Sequence, residues 1–376
     1  MTHQTLLDLG TAANEPLDPV GFDIGWDHAR HGLVPSPGLM LDGTPVSQGW
    51  RAARAVFGPR TAPATRPVRQ WLELRLQAWR DGVAFDTHQL TPHHLGQLEA
   101  THCPVTREPL GGTGDTAATW VRLRLDAAYS AGHLVLMSRR AARARAEHGG
   151  TALRERADRL RRESLDWCDG LSATEWARLA ALVSMAEELP PAQAARLPLL
   201  ALPPNRVRVL NPVQGLQALL TLRLHGAGWS RRSRDMADRL PRPELRHDFN
   251  LFVGALAARL MGIADRLSPR ERRQALEDAW LCPRVARRWA QFATLLGGSE
   301  AEAWLRDLAG SASGGTAGAQ ILVHEAAVAT EGWSLATRGR LLRSARPRPQ
   351  RAGRESRPTA GNPPANRSAM TSPSAS

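Results

Sequence analysis

Apolar residues recur at helical spacing along most of this chain and at strand spacing in one short stretch. Pro67 to Arg80 carries Val68, Trp71, Leu72, Leu76 and Trp79, and Ser47 to Phe57 carries Trp50, Ala53, Val56 and Phe57. Each predicts an amphipathic helix closed by a glycine, Gly82 and Gly58. Thr91-Pro92 opens a further short helix through Glu99, since threonine caps and proline suits the first turn. Farther on, Ser172 and Glu175 form a capping box ahead of Trp176, Leu179, Leu182 and Val183, and Ser268 with Glu271 repeats it ahead of Leu276, Trp280 and Leu281. Asn211-Pro212 starts a helix with Leu216, Leu219, Leu220 and Leu224. Phe249 to Leu267, Arg284 to Leu296 and Glu300 to Leu308 complete an all-helical region.

The exception lies between His102 and His148. Thr119 to Arg124 alternates Trp120 and Leu123 with Arg122 and Arg124, and Leu134 to Met137 is a short apolar run after Gly132. Ser138 then caps a helix in which Arg139, Arg140, Arg143 and Arg145 alternate with alanines before Gly149. The order is strand, strand, helix. The fold class predicted is therefore mainly α, a multi-helix protein with a small ββα segment and a disordered C-terminal tail. Its parts are 1–100, an N-terminal helical region; 101–150, the ββα segment; 151–171, a connector helix with Leu153, Ala157, Leu160 and Leu165; 172–335, the all-helical domain; and 336–376, the tail.

That segment resembles the core of the HNH-type, endonuclease VII-like nucleases over residues 102–148. The likeness rests on Cys103-Pro-Val-Thr-Arg-Glu-Pro-Leu110, followed by Arg122, Tyr129, Gly132, Leu134 and Ser138-Arg-Arg-Ala at the family's spacing. It implies a metal-dependent endonuclease fold in which an acidic ligand, a loop asparagine and a helical histidine or asparagine surround a divalent cation. At the matching positions stand Val121, Arg122, His133 and Ala142. Valine and alanine offer no oxygen to a hard cation, and an arginine that stays protonated is no general base. Only His133 keeps useful chemistry. The expectation is a strongly diverged relative without standard cleavage: a binder rather than an enzyme, with no cofactor. Were cleavage retained, His133 would be the catalytic residue and Asp115, Asp126 and His133 the displaced ligands of Mg²⁺, Mn²⁺ or Zn²⁺.

Charge changes the picture less than its size suggests. The chain carries 49 basic residues, none of them lysine, and a net charge of +13. From Arg338 onward nine arginines face one acid, Glu355, so +8 belongs to the tail and +5 to the rest. A tail rich in Arg, Pro and Ser binds phosphate non-specifically and loses that affinity in salt. Within the body, Arg122, Arg124, Arg139, Arg140, Arg143 and Arg145 are the predicted nucleic-acid contacts. A second basic group, Arg270, Arg272, Arg273, Arg284, Arg287 and Arg288, surrounds one interhelical connection. Arg69, Arg75 and Arg80 lie on the Pro67 helix.

The leading functional expectation is a bacterial nucleic-acid-binding protein, with DNA ahead of RNA. The alternatives are a helical interaction or structural module and an active nuclease with displaced ligands. Asp23, Asp27, His28 and His31 carry metal-ligand side chains, but an H-x-x-H pair without a third ligand reads first as a polar helix surface beside core residues Phe22 and Trp26. Cys103, Cys168 and Cys282 lack any CxxC pairing, no apolar run approaches the roughly 18 residues that span a bilayer, and the chain reads as cytoplasmic. There is no G-x-S-x-G elbow and, without lysine, no phosphate-binding P-loop.

Overall fold

The computed structural model describes residues 18–261, 263, 267–310, 330, 332 and 333. The tail expected over 336–376 lies outside them. Thirteen α-helices and two small two-stranded sheets appear among the described residues. Eight of the helices begin on a proline, which explains where many of the chain's prolines go: a proline at the first helical position gives up an N–H that would have no partner there.

The first layer is α1 (Pro19–Arg30), α2 (Pro45–Phe57), α3 (Arg66–Arg80) and α4 (Pro92–Leu98). Asp18 caps α1 by accepting from Val20 and Gly21, a start the apolar pattern did not signal. Helices α1 and α2 cross at two glycines. A Cβ on Gly25 would lie 1.9 Å from the Val46 carbonyl oxygen, and one on Gly49 would lie 1.9 Å from that of Phe22. Ile24, Gly25, His28 and Ala29 face inward on α1, while Phe22 and Trp26 are half-buried. This corrects the expectation on two counts: His28 is a core residue, and the two aromatics line the rim, with Trp26 edge-on to Phe57 at 5.4 Å.

The expected strand–strand–helix order follows. Strand β1 (Ala118–Arg122) pairs antiparallel with β2 (Leu134–Ser138), setting Trp120 opposite Leu136. Ser138 caps α5 (Arg139–Glu147), accepting from Ala141. All five residues of β2 are buried because the hairpin has helices on both sides. Leu134 joins Leu74, Ala78, Leu90, Leu95 and Leu98 of the first layer, whereas Val135 and Met137 join the main core. A strand covered on both faces has no reason to alternate.

The remaining elements are α6 (Gly150–Arg162), the short hairpin β3 (Trp167–Cys168) and β4 (Leu171–Ser172), α7 (Ala173–Met185), α8 (Pro191–Ala194), α9 (Pro212–Arg223), α10 (Trp229–Ala237), α11 (Pro243–Leu260), α12 (Pro269–Asp278) and α13 (Pro283–Gly310). Both capping boxes form. The two terminal helices expected over 284–308 are the halves of α13, which breaks at Gly297 (φ 74°). Strand Met137, α6 residues Leu153, Ala157 and Leu160, Trp176 of α7 and Phe292 of α13 belong to one continuous core. The boundaries expected near 150 and 171 thus mark changes of element, and the core crosses them. Phe249, Phe252, Trp280, Trp289, Phe292 and Trp304 pack as one aromatic cluster within it, with ring centroids 5.2–6.5 Å apart.

Candidate nucleic-acid interface

In the folded chain most of the six arginines expected to contact nucleic acid turn inward. Arg122 donates to Leu125 O at 2.8 Å and lies 4.7 Å from the Tyr129 ring centre. Arg124 grips Asp126 with two hydrogen bonds, 3.0 and 2.9 Å, and that pairing holds the Asp126 carboxyl below the usual carboxylate range. Arg140 spans Glu108 at 3.1 Å and Glu175 at 3.0 Å. Arg145 is 3% exposed and donates to the carbonyls of Leu123 and His148. Burial pushes its guanidinium down to about 10. Only Arg139 and Arg143 stand on the surface of α5, and Arg143 pairs with Asp115. Four of the six are therefore spent on partners within the fold, Arg140 tying the segment to α7 as well. Sequence alone assigns an arginine to a helix or strand, not to the carbonyl it will meet.

The loop before β1 has the same character. Cys103 is buried and accepts weakly from the Thr106 N–H and the Ser138 hydroxyl. Arg107, in a left-handed conformation (φ 62°), reaches across to α12. There its guanidinium meets Glu277 at 3.1 Å and Asp278 at 2.7 Å. These carboxylates raise its pKa against the opposing effect of burial. The motif that carried the nuclease resemblance is thus a structural tie to the helical body.

His133 is fully buried. Its Nε2 lies 2.9 Å from Ala128 O, fixing the Nε2–H tautomer, and 3.1 Å from Ser130 Oγ; its Nδ1 has no partner. Burial, reinforced by Arg122 and Arg124 against the hydrogen bond to Ala128, holds it neutral with a pKa pushed down to about 3. Asp115, Asp126 and His133 are not gathered: among the described residues no group of three or more His, Cys, Asp or Glu side chains could hold a metal. Nor do Asp27, His28 and His31 form such a group. Asp27 pairs with Arg75, which is 6% exposed and sits 4.5 Å from the Trp71 ring centre, so Arg75 does not reach a phosphate from solvent. His28 Nδ1 bonds to Ile24 O at 2.7 Å, and burial lowers its pKa.

The second basic group divides. Arg273 is drawn to Glu277 and to the carbonyls of Leu202 and Pro203, and Arg270 lies 2.6 Å from His102. At the start of α13 the arrangement differs. Arg284 and Arg287 are exposed, Arg288 donates to Gln291, and Arg259 from the last turn of α11 donates to Cys282 Sγ at 3.3 Å. No ion pair with an acid joins these four among the described residues. They lie around the N-terminal end of α13, where the helix dipole favours an anion. Sequence reading missed Arg259, because only the packing of α11 on α13 brings it there.

Cys282 reports the same field. It precedes Pro283, and the Val285 N–H, the Arg284 N–H and the Arg259 guanidinium lower its thiol pKa. We expect iodoacetamide at neutral pH to label Cys282 first, about tenfold or more ahead of buried Cys103. Peptide mass spectrometry over a time course reads the order, and faster labelling of Cys103 would contradict the geometry.

No helix among the described residues is long and apolar enough to cross a membrane. Comparison with family models, with curated proteins and with solved structures found no match.

Proposed function

We propose that this chain binds nucleic acid through the phosphate backbone, as a diverged relative of the HNH-type nucleases that does not use their metal-dependent cleavage. The observation that carries this reading is the set of four arginines, Arg259, Arg284, Arg287 and Arg288, at the N-terminal end of α13, which have no acidic partner among the described residues. Phosphate contacts of this kind position a duplex without reading its bases. In this reading the body's binding surface is α11 and α13, with Arg139 and Arg143 of α5 as the ββα segment's share.

Replacing all four arginines with glutamine tests it. Binding of duplex DNA and of RNA, followed by fluorescence anisotropy across a salt series, is expected to weaken. The slope of log affinity against log salt on DNA should fall by about 0.9 for each phosphate that is no longer neutralised, about 3 to 4 if all four arginines act. The DNA should remain uncut with Mg²⁺ or Mn²⁺ present. Unchanged affinity and slope, in the full chain and in one ending at Trp333, would remove the body from the interface.

A second reading has its own support. Arg122, Arg124, Arg140 and Arg145 are all spent on internal partners, as expected of a helical interaction module whose arginines serve as cross-links. In that case neither chain binds nucleic acid at moderate salt.

A further inference from the structure

We infer that the spur joining α6 to α7 is a self-association surface, on which a second copy of this chain docks about a two-fold axis with Trp167 at the centre. Residues 161–167 are all exposed. Two of them are large and apolar: Leu165, which lies beyond Arg162, the last residue of α6, is 49% exposed, and Trp167 on β3 is 60% exposed. Single exposed leucines are ordinary, but a tryptophan beside one is the kind of anchor on which interfaces centre.

The spur is fixed from behind. The Leu165 N–H donates to Leu160 O at 3.0 Å, and β3 pairs with β4. The Trp176 indole N–H donates to Cys168 O at 2.9 Å, and Arg156 pairs with Asp169. The Arg140 guanidinium, held by Glu108 and Glu175, lies 5.6 Å from the Trp167 ring centre. A surface already held in shape loses little freedom when a partner arrives.

Charge selects the occupant. Arg159 and Arg162 are exposed on the last turn of α6, and Glu163 and Asp166 are exposed just after it. Arg161 is engaged by Asp158. Two cations and two carboxylates thus accompany the apolar pair, and a patch with both signs in equal number is complementary to itself. In a two-fold contact residue i meets j and j meets i, so the arginines of each copy face the carboxylates of the other. A polyanion would meet those carboxylates as repulsion. Glu163 also caps α6 at the negative end of its dipole, where a carboxylate is disfavoured and an arriving guanidinium relieves it.

The first test is sedimentation velocity of the full-length chain, freed of nucleic acid, at about 0.15 M salt, where the net charge of +13 is screened over about 8 Å. A monomer–dimer equilibrium is expected across about 1–100 µM. Trp167→Ala should raise its midpoint about tenfold or more. A parent chain that stays monomeric throughout, or a Trp167→Ala variant that dimerises as the parent does, would overturn the inference.

The second test exchanges the charges. Arg159→Glu with Arg162→Glu makes an acidic spur, and Glu163→Arg with Asp166→Arg makes a basic one. All four side chains are exposed, so both variants keep the fold. Each alone is expected to be monomeric, and an equimolar mixture should form a heterodimer. Variants that each dimerise alone, or that stay apart when mixed, would place any association elsewhere and overturn the inference.

Discussion

Gly25→Ala destabilises this protein by about 3 kcal/mol, although alanine is the better helix former. Helix propensity alone favours the change by about 1 kcal/mol. The added methyl, however, points at backbone, with the Val46 carbonyl oxygen 1.9 Å and the Trp50 nitrogen 2.8 Å from the ideal Cβ position, and backbone of a neighbouring helix does not swing aside as a side chain does. Overpacking therefore wins. Gly49→Ala meets the Phe22 carbonyl in the same way and should cost a similar amount. Once one methyl has pushed α1 and α2 apart the second finds room, so the double variant should fall short of additivity by about 1 kcal/mol or more. Gly254→Ala is the control: Gly254 is exposed on α11 with nothing within 4 Å of the added methyl. It should stabilise by about 0.5–1 kcal/mol. Urea denaturation of the four variants reads all of this, and a stabilising Gly25→Ala would mean that the helices do not cross so closely.

Glu277→Ala is expected to cost about 3–5 kcal/mol. Glu277 is 3% exposed, and its carboxylate accepts from the Leu202 N–H at 2.9 Å, from Arg273 at 3.2 Å and from Arg107 at 3.1 Å. Truncation strands a buried N–H and withdraws the charge on which two arginines converge. Glu277→Gln keeps an acceptor for Leu202 and should lose less. Asp278 also binds Arg107, but its side chain is 43% exposed, so Asp278→Asn should cost no more than about 1 kcal/mol. If denaturation ranks Asp278→Asn above Glu277→Ala, burial is not what sets the strength of this network.

Much of the secondary structure was legible because its causes are local. Ser172 with Glu175 and Ser268 with Glu271 close their capping boxes within three residues, and Ser138 reaches only to Ala141. Thr91-Pro92 and Asn211-Pro212 start helices where expected. Helix α10 was missed for the same reason. It begins at left-handed Gly228 without a side-chain cap, and Trp229–Ala237 has too few apolar residues to show a stripe.

The candidate site was legible only as an inventory. The chain determined by itself that arginines would crowd the ββα segment and the start of α13 and that His133 would follow a glycine turn; the alternation expected over 119–124 did not appear, since Trp120 and Val121 of β1 pack against different cores. Tertiary structure decided which of those charges reach solvent. Arg107 meets Glu277 across 170 residues, Trp333 meets Ala131 across 202, and Arg259 finds Cys282 only where α11 packs on α13. Caps and periodicity act over one or two turns, so a sequence carries them openly. Burial, ion pairing and the fate of a lone pair depend on whichever distant segment the shared core brings alongside.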